Sequence, residues 1–180
     1  MKPFDELIAQ RRSIRNFDAT RKISQAQIET LIRSALEAPS WNNFQESRYH
    51  AVLSAELKQQ LCACLAPFDA KIAANASTLL VTTFQRGRSG FKNHLPVDEL
   101  GDGWGIYDLG LQNAYLLLKA ADMGMDSIVL GLRDADKIRT LLAIPEEEAI
   151  VSIIAVGYRT SKEVVRPARK KTTEVATFYE

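Results

Sequence analysis

One segment in the second half of the chain restricts the fold more than any other. Between positions 114 and 121 almost every residue is apolar, and this stretch lies inside a longer helical pattern over 103–123. A helix that is apolar on most of its circumference must be covered on most of its circumference. The sequence therefore predicts a central or interface helix with other elements packed around it.

Helices and strands are both predicted elsewhere. Ser24 and Gln27 have the spacing of a capping box, and apolar residues then recur at helical spacing until Pro39. The runs 78–84 and 150–156 are apolar and rich in β-branched residues, which is typical of buried strands. We also predict helices over 3–10, 55–65 and 135–142, strands over 48–53 and 127–130, and a loop between 85 and 103.

Composition limits the possible functions. The chain has 180 residues, 46% of them hydrophobic, which favours a single domain over 1–180 with a substantial core. Its 23 basic and 22 acidic residues give a net charge of +1, so we expect no nucleic-acid partner. The charged first fifteen residues do not form a secretory signal, and no stretch has the length of a membrane helix. We expect a cytoplasmic protein.

Metal and nucleophile chemistry have little support. The only two histidines, His50 and His94, have no ligand spacing with cysteine or acidic residues, so we predict no metal site. Cys62 and Cys64 fall two apart in a predicted helix, where their side chains would point to different faces. A catalytic triad needs an oriented histidine, and no feature of the sequence marks His50 or His94 for that role, so the sequence gives little support to a hydrolase.

Two arginine-rich segments suggest an anion site. Arg11, Arg12 and Arg15 lie within five residues, beside Ser13, and a second basic group includes Arg169. Guanidinium groups match phosphate oxygens, and convergence of the two segments would form a phosphate clamp. The alternative for the first segment is a solvated basic turn. The glycine-rich segment 101–105 follows no strand and contains an acid, so it does not fit a dinucleotide-binding loop.

The chain has two further segments of interest. Residues 38–45 offer hydroxyl and amide groups that suit the edge of a heterocycle, although ordinary turn chemistry explains them equally. Residues 159–180 are basic, lack an amphipathic period and end in apolar residues. We interpret 159–180 as a C-terminal arm that docks on a partner subunit.

Taken in order, several segments resemble the nitroreductase family of FMN-dependent oxidoreductases over essentially the whole chain. The segment 11–17 (RRSIRNF) resembles the opening Arg-x-Ser-x-Arg/Lys-x-Phe signature, and 38–45 (APSWNNFQ) is similar to the Ala-Pro-Ser-x-x-Asn-x-Gln loop. The region 108–127 resembles the long interface helix of the family. Similar late elements are 144–146 (IPE) and 156–158 (VGY).

The resemblance implies an α+β sandwich, with a central mixed or antiparallel sheet flanked by helices, and an intertwined homodimer with two FMN sites. It implies FMN contacts for residues in five segments: Arg11, Arg12, Ser13, Arg15, Pro39, Ser40, Asn43, Asp69, Leu130, Gly131 and Arg169.

Each of these residues has an implied role. Arg11 and Ser13 would hold the phosphate with support from Arg12 and Arg169, and Arg15 would lie near the pyrimidine edge of the flavin. Pro39 and Ser40 would come from the other subunit, and Asn43 would contact the flavin region. The backbone at Leu130 and Gly131 would meet the N5 edge. Trp104, Tyr107 and Phe91 would line the pocket or simply belong to the core.

The sequence also departs from the family pattern. Glu46-Ser47 stands where the family usually has Pro-Trp after the loop glutamine. Asp69 and Ile72 stand where many members place an amide and a lysine or glutamine beside the flavin, with Lys71 adjacent. An acid near the ring would disfavour the anionic reduced flavin. The alternative for Asp69 is an ordinary residue of a helix N-terminus.

The implied reaction is ping-pong: NAD(P)H gives hydride to flavin N5 and leaves, and an electron-poor acceptor such as a nitroaromatic or quinone then binds in the same pocket. The alternatives are a different flavin reaction, such as dehalogenation, enone reduction or flavin fragmentation, and a non-enzymatic flavin-binding protein. A purely structural α+β dimer would bind no flavin.

Overall fold

A four-stranded antiparallel sheet forms the centre of the molecule in the computed structural model, which describes residues 3–160 and 165–180. Its strands are β1 (Ser47–Val52), β2 (Thr78–Gln85), β5 (Asp126–Leu130) and β6 (Glu148–Gly157). Their order across the sheet is β1-β2-β6-β5. The short strands β3 (Phe91–Lys92) and β4 (Leu95–Pro96) form a separate hairpin.

Helices cover both faces of this sheet. They are α1 (Phe4–Gln10), α2 (Gln25–Ala35), α3 (Ala55–Cys62), α4 (Pro67–Ala74), α5 (Gly103–Asp122) and α6 (Ala135–Leu142). Short 3₁₀ helices span Trp41–Asn43 and Thr172–Glu174. Helix α2 begins at the predicted capping box, in which the Ser24 hydroxyl accepts from the Gln27 backbone N–H.

Strand β2 shows how the layers are built. Leu79 and Val81 pack into a core shared with α3, α4 and α6, whereas Leu80 packs into a core shared with α2 and α5. Side chains alternate between the two faces of a strand, so a continuous apolar run is what a sheet covered on both faces requires. The antiparallel sheet between two helical layers confirms the predicted α+β sandwich.

Helix α5 is only partly covered within one chain. Leu116 and Ala120 are fully buried against the sheet and α2. In contrast, Ile106, Tyr107 and Tyr115 are each about half exposed, at 51%, 59% and 45%. The strongly apolar helix therefore keeps an apolar outer face.

Three differences from the sequence prediction concern the loop after β2, helix α3 and strand β6. The predicted loop contains the β3–β4 hairpin, whose turn residues Asn93 and His94 both have positive φ. Helix α3 ends at Cys62, so Cys64 lies beyond the helix, and both thiols are buried and free. Strand β6 extends to Glu148, two residues earlier than predicted.

The C-terminal arm is exposed throughout 165–180, and its positions 161–164 lie outside the described residues. Its apolar side chains Phe178 and Tyr179 are 77% and 94% exposed. Within the described residues, no helix is both long enough and apolar enough to cross a membrane.

Candidate functional site

Backbone hydrogen bonds hold the first arginine segment against the edge strand β5 and the residue that follows β6. The Ile14 N–H donates to the Ser127 carbonyl at 3.1 Å, and the Asp18 N–H donates to the Tyr158 carbonyl at 2.7 Å. Ile14 and Phe17 are buried in the core beneath. These anchors leave Ser13 and Arg15 exposed, whereas Arg12 is half-buried.

Two cavities flank Arg11. The first, of about 470 Å³, is lined by four arginines, and the second, of about 580 Å³, combines Arg11 with residues of α5 and the C-terminal arm. The structure thus brings the two basic segments together. The arginines of the two cavities are Arg11, Arg12, Arg21, Arg159, Arg166 and Arg169.

Most of this positive charge has no carboxylate partner within residues 3–160 and 165–180. Asp126 accepts hydrogen bonds from the guanidinium of Arg159, and Asp5 lines the second cavity. Arg12 makes no ion pair among those of the described residues, and its Nε is buried without a hydrogen-bond partner. Desolvation, and then the charges of Arg166 and Arg169, lower the pKa of Arg12. Such a cluster is suited to an anion.

Ser13 and Arg15 lie beside the cluster but line neither cavity. Both are exposed, and Ser13 forms a parallel bridge with Ser127 at the start of β5. The Arg15 guanidinium donates to the Ser13 carbonyl at 3.4 Å, so its side chain folds back along its own segment.

The loop over 39–45 packs against the first half of α5. The Trp41 N–H donates to Asp108 Oδ2 at 2.8 Å, and the Gln45 N–H donates to Ser40 Oγ at 3.1 Å. Asn43 and Gln45, with φ values of 56° and 52°, adopt the left-handed backbone conformation that residues other than glycine rarely take. Pro39 and Asn43 are exposed. The loop is thus a strained turn that the hydrogen bonds of Trp41 and Gln45 hold in place.

A buried polar group lies directly beneath this loop. The Ser89 hydroxyl is 2.6 Å from Glu46 Oε1 and 2.7 Å from Asp108 Oδ2. The three residues are 1%, 0% and 3% exposed, respectively. Desolvation, together with the neighbouring Asp108, raises the pKa of Glu46 although the Ser89 hydrogen bond opposes this shift. Sequence reasoning noted Glu46 only as a departure from a pattern.

Three aromatic rings contact one another where the loop meets the start of α5. The ring centroids of Trp41 and Trp104 are 4.7 Å apart, and those of Trp104 and Tyr107 are 5.8 Å apart. The Trp104 Nε1–H donates to Asp98 at 2.9 Å, which ties the start of α5 to the preceding loop. Phe91 begins the β3–β4 hairpin in the same region.

Asp69 lies in the first turn of α4 and is 9% exposed. The next predicted neighbour of the flavin, Ile72, is 5% exposed and belongs to the core between α4 and the sheet. Lys71 points outward and is exposed. Asp69 thus occupies a helix N-terminal position.

The end of β5 is held by an arginine that sequence reasoning missed. Leu130 is buried, whereas Gly131 is exposed and lines a cavity of about 480 Å³ with Leu132 and Arg133. Arg133 donates to the carbonyls of Gly131, at 3.1 Å, and of Ile150. No local sequence signal identifies this contact, because Ile150 belongs to another strand.

The predicted site residues therefore fall into separate groups within one chain. Arg11, Arg12 and Arg169 converge, whereas the loop over 39–45 lies near Asp108. The cavity of Arg11 and Arg169 meets α5 at 114–118, about 9–15 Å farther along the axis at a rise of 1.5 Å per residue. No residue of the loop lines either arginine cavity.

Comparison with known proteins identifies the family of this chain. The model of the "Nitroreductase family" matches residues 8–158. The "Putative NADH dehydrogenase/NAD(P)H nitroreductase" of Archaeoglobus fulgidus is 27% identical over 157 residues, covering 85% of this chain and 83% of that protein.

Solved structures share the fold at lower identity. A "putative nitroreductase in complex with FMN" from Exiguobacterium sibiricum has a TM-score of 0.87 at 21% identity, covering 99% of this chain and 98% of that one. An "FMN-dependent Nitroreductase" from Clostridium difficile has a TM-score of 0.77 at 20% identity, covering 97% and 98%. Because the family match spans the sheet, both helical layers and the first arginine segment, this chain belongs to the nitroreductase family.

Proposed function

We propose that this protein is an FMN-dependent oxidoreductase that takes hydride from NAD(P)H and reduces an electron-poor acceptor, such as a nitroaromatic or a quinone, by a ping-pong mechanism. The observation that carries the proposal is the convergence of Arg11 with Arg166 and Arg169 in a chain of this family. A solved structure of similar fold contains FMN, and a relative is named as an NAD(P)H nitroreductase.

The chemistry of the arginine cluster fits the phosphate of FMN. The buried, unpartnered Nε of Arg12 and the excess of guanidinium groups over carboxylates call for a bound anion. In our proposal Arg11 and Ser13 hold the phosphate, Arg12 and Arg169 support them, and Arg15 adds positive charge near the pyrimidine edge. FMN, when bound, supplies the hydride-accepting group that the side chains lack.

The remaining groups would orient the flavin ring. Asn43 offers an amide from the loop, and the exposed backbone at Gly131 is held in place by Arg133. Asp69 would place a carboxylate near the ring and so disfavour the anionic reduced form. Trp104 and Tyr107 would form part of the wall of the acceptor pocket.

A homodimer would complete the site. The exposed apolar face of α5 and the exposed C-terminal arm are surfaces that a second copy could cover, and residues 159–180 would dock on that copy. Pro39 and Ser40 would then reach the flavin held by the arginines of the partner subunit. This arrangement accounts for the separation of the loop and the arginine cluster within one chain.

The first test is a visible absorption spectrum of the purified protein, followed by anaerobic addition of NADH or NADPH. We expect flavin bands that bleach with the nicotinamide and return when a nitroaromatic or quinone is added. Bound flavin that never bleaches would favour the alternative of a non-enzymatic flavin-binding role, for which Asp69 is the supporting feature. A colourless protein that also ignores added FMN would contradict the proposal.

A further inference from the structure

The geometry around Ser89 calls for a proton on one of two buried carboxyl groups. A serine hydroxyl has one hydrogen, so it can donate to only one of its two carboxyl neighbours. Glu46 and Asp108 both lie within 2.7 Å of Ser89 Oγ. The second short contact therefore requires a carboxylic acid that donates its own hydrogen to the serine.

The remaining contacts decide which group carries the proton. Asp108 Oδ2 also accepts the Trp41 N–H at 2.8 Å, so this oxygen already lies within hydrogen-bond distance of two donors. Glu46 is fully buried, and its Oε2 has no hydrogen-bond partner. A charged carboxylate with an unpartnered buried oxygen would be costly. The proton thus belongs to Glu46.

The charged side chains around this group are engaged elsewhere. Arg48 donates to the backbone carbonyls of Gln45 and Ser47, Arg86 pairs with Asp102, and Arg88 lies over the ring of Phe44. None of the ion pairs formed by described residues includes Glu46 or Asp108. Across the part of the chain that the structure describes, no cation therefore stabilises a second negative charge here.

We propose that Glu46, Ser89 and Asp108 act as a proton-dependent latch that positions the flavin-binding loop. Glu46 donates to Ser89, Ser89 donates to Asp108, and Asp108 holds the loop through the Trp41 N–H. The latch fixes the loop at two points, through the backbone N–H of Trp41 and through Glu46, which directly follows the loop. The part of this inference that concerns flavin rests on the proposed function.

The latch weakens as the solution becomes alkaline. Loss of the Glu46 proton leaves two carboxylates competing for one serine hydrogen, and their repulsion favours release of the loop. Release displaces Ser40 and Asn43, which the proposed function assigns to FMN. Glu46, Ser89 and Asp108 are positioning residues, since none of them needs to touch the flavin.

Two measurements test the latch without flavin. The only tryptophans of the chain, Trp41 and Trp104, both lie at the loop, so intrinsic fluorescence reports on it directly. We expect the full-length wild type to show a fluorescence transition above the ordinary pH range of glutamate. Glu46→Gln keeps a donor for Ser89 but has no proton to lose, so the transition should disappear while the circular dichroism stays unchanged.

Infrared spectroscopy supplies the second measurement. At neutral pH the wild type should show the carbonyl band of a protonated carboxylic acid, and Glu46→Gln should lack it. The exposed Glu147 offers a matched control, because Glu147→Gln should keep the band. Identical fluorescence titrations of wild type and Glu46→Gln, or a band unaffected by Glu46→Gln, would overturn the inference.

Affinity for added FMN tests the positioning role. We expect wild-type affinity to fall about tenfold across the fluorescence transition, the size of one lost hydrogen bond to a charged group, and the affinity of Glu46→Gln to stay level. An affinity that ignores the transition would overturn the loop's role. A protein that binds no FMN at any pH would contradict the proposed function, and the fluorescence and infrared results would still decide the latch.

Discussion

His50 and Glu148 are joined across a strand that separates them. His50 Nε2 in β1 lies 2.8 Å from Glu148 Oε2 in β6, although β2 runs between the two strands. The Thr83 hydroxyl of β2 donates to the same carboxyl oxygen. Three strands are therefore tied together on one face of the sheet by a single carboxylate.

This carboxylate makes folding stability depend on acid. Burial raises the pKa of Glu148, but the hydrogen bonds from Thr83 and His50 and the charges of His50 and Arg48 outweigh it and lower the pKa overall. A carboxyl group with a lowered pKa in the folded state stabilises the fold above its unfolded pKa, and this stability is lost as the pH falls through the folded value.

We therefore expect the melting temperature to fall below about pH 4.5, the ordinary glutamate value. Glu148→Gln should cost about 2 kcal/mol of unfolding free energy at neutral pH and flatten the acid dependence. Thermal unfolding across a pH series would measure both effects. If Glu147→Gln, at the exposed neighbouring position, gave the same loss, the assignment to Glu148 would be wrong.

The second prediction concerns the phosphate. Arg11→Ala should weaken FMN binding by tenfold to a hundredfold, or about 1.4–2.8 kcal/mol, because a charge-assisted hydrogen bond is lost. Binding of riboflavin, which lacks the phosphate, should change little. Isothermal titration with both ligands measures the difference. Arg33→Ala, an exposed position on α2, is the control, and undiminished FMN affinity in Arg11→Ala would remove Arg11 from the site.

The third prediction concerns the packing of α5 on the sheet. A Cβ atom added at Gly105 would lie 2.3 Å from Cδ2 of Phe84, which is itself 2% exposed and unable to move aside freely. Gly105→Ala should therefore destabilise the fold by about 1–3 kcal/mol. Gly110→Ala on the same helix meets no atom within 4 Å and should stabilise it by about 0.5–1 kcal/mol. Equal effects in denaturant titrations would contradict this contrast.

The fourth prediction concerns assembly. Tyr115 is 45% exposed on the apolar outer face of α5, and a carboxylate there should oppose docking of a second copy. Tyr115→Glu should shift the protein from dimer to monomer in sedimentation experiments and reduce FMN retention in parallel. Gln59→Glu adds the same charge at an exposed position of α3 and should do neither. A monomeric wild type that binds flavin tightly would refute a shared site.

Helices and strands were predicted well where apolar periodicity or a capping residue marked them in the sequence. Helix α6 spans the predicted 135–142, and α2 begins after the capping box formed by Ser24. The β3–β4 hairpin was missed because its strands have two residues each, and its turn uses Asn93-His94 instead of a glycine-containing pair.

The candidate site also has parts that the sequence could predict and parts that it could not. The arginine segments are visible in the sequence because charge clusters are local, and the structure brings Arg11 and Arg169 to one cavity. The group under the loop could not be predicted, because Ser89 and Asp108 lie 43 and 62 positions after Glu46. Likewise, nothing near Gly131 in sequence indicates that Arg133 also binds Ile150.

The strand order also has a consequence for aggregation. The edge of β5 is partly paired through Ser13, but β1 has β2 as its only partner among the described strands. Open strand edges recruit other chains by backbone hydrogen bonding, and charged side chains oppose this. Arg48 and His50 lie on that edge strand and are tied to neighbouring groups. Their joint replacement by apolar residues would make the protein prone to form insoluble intermolecular sheets during expression.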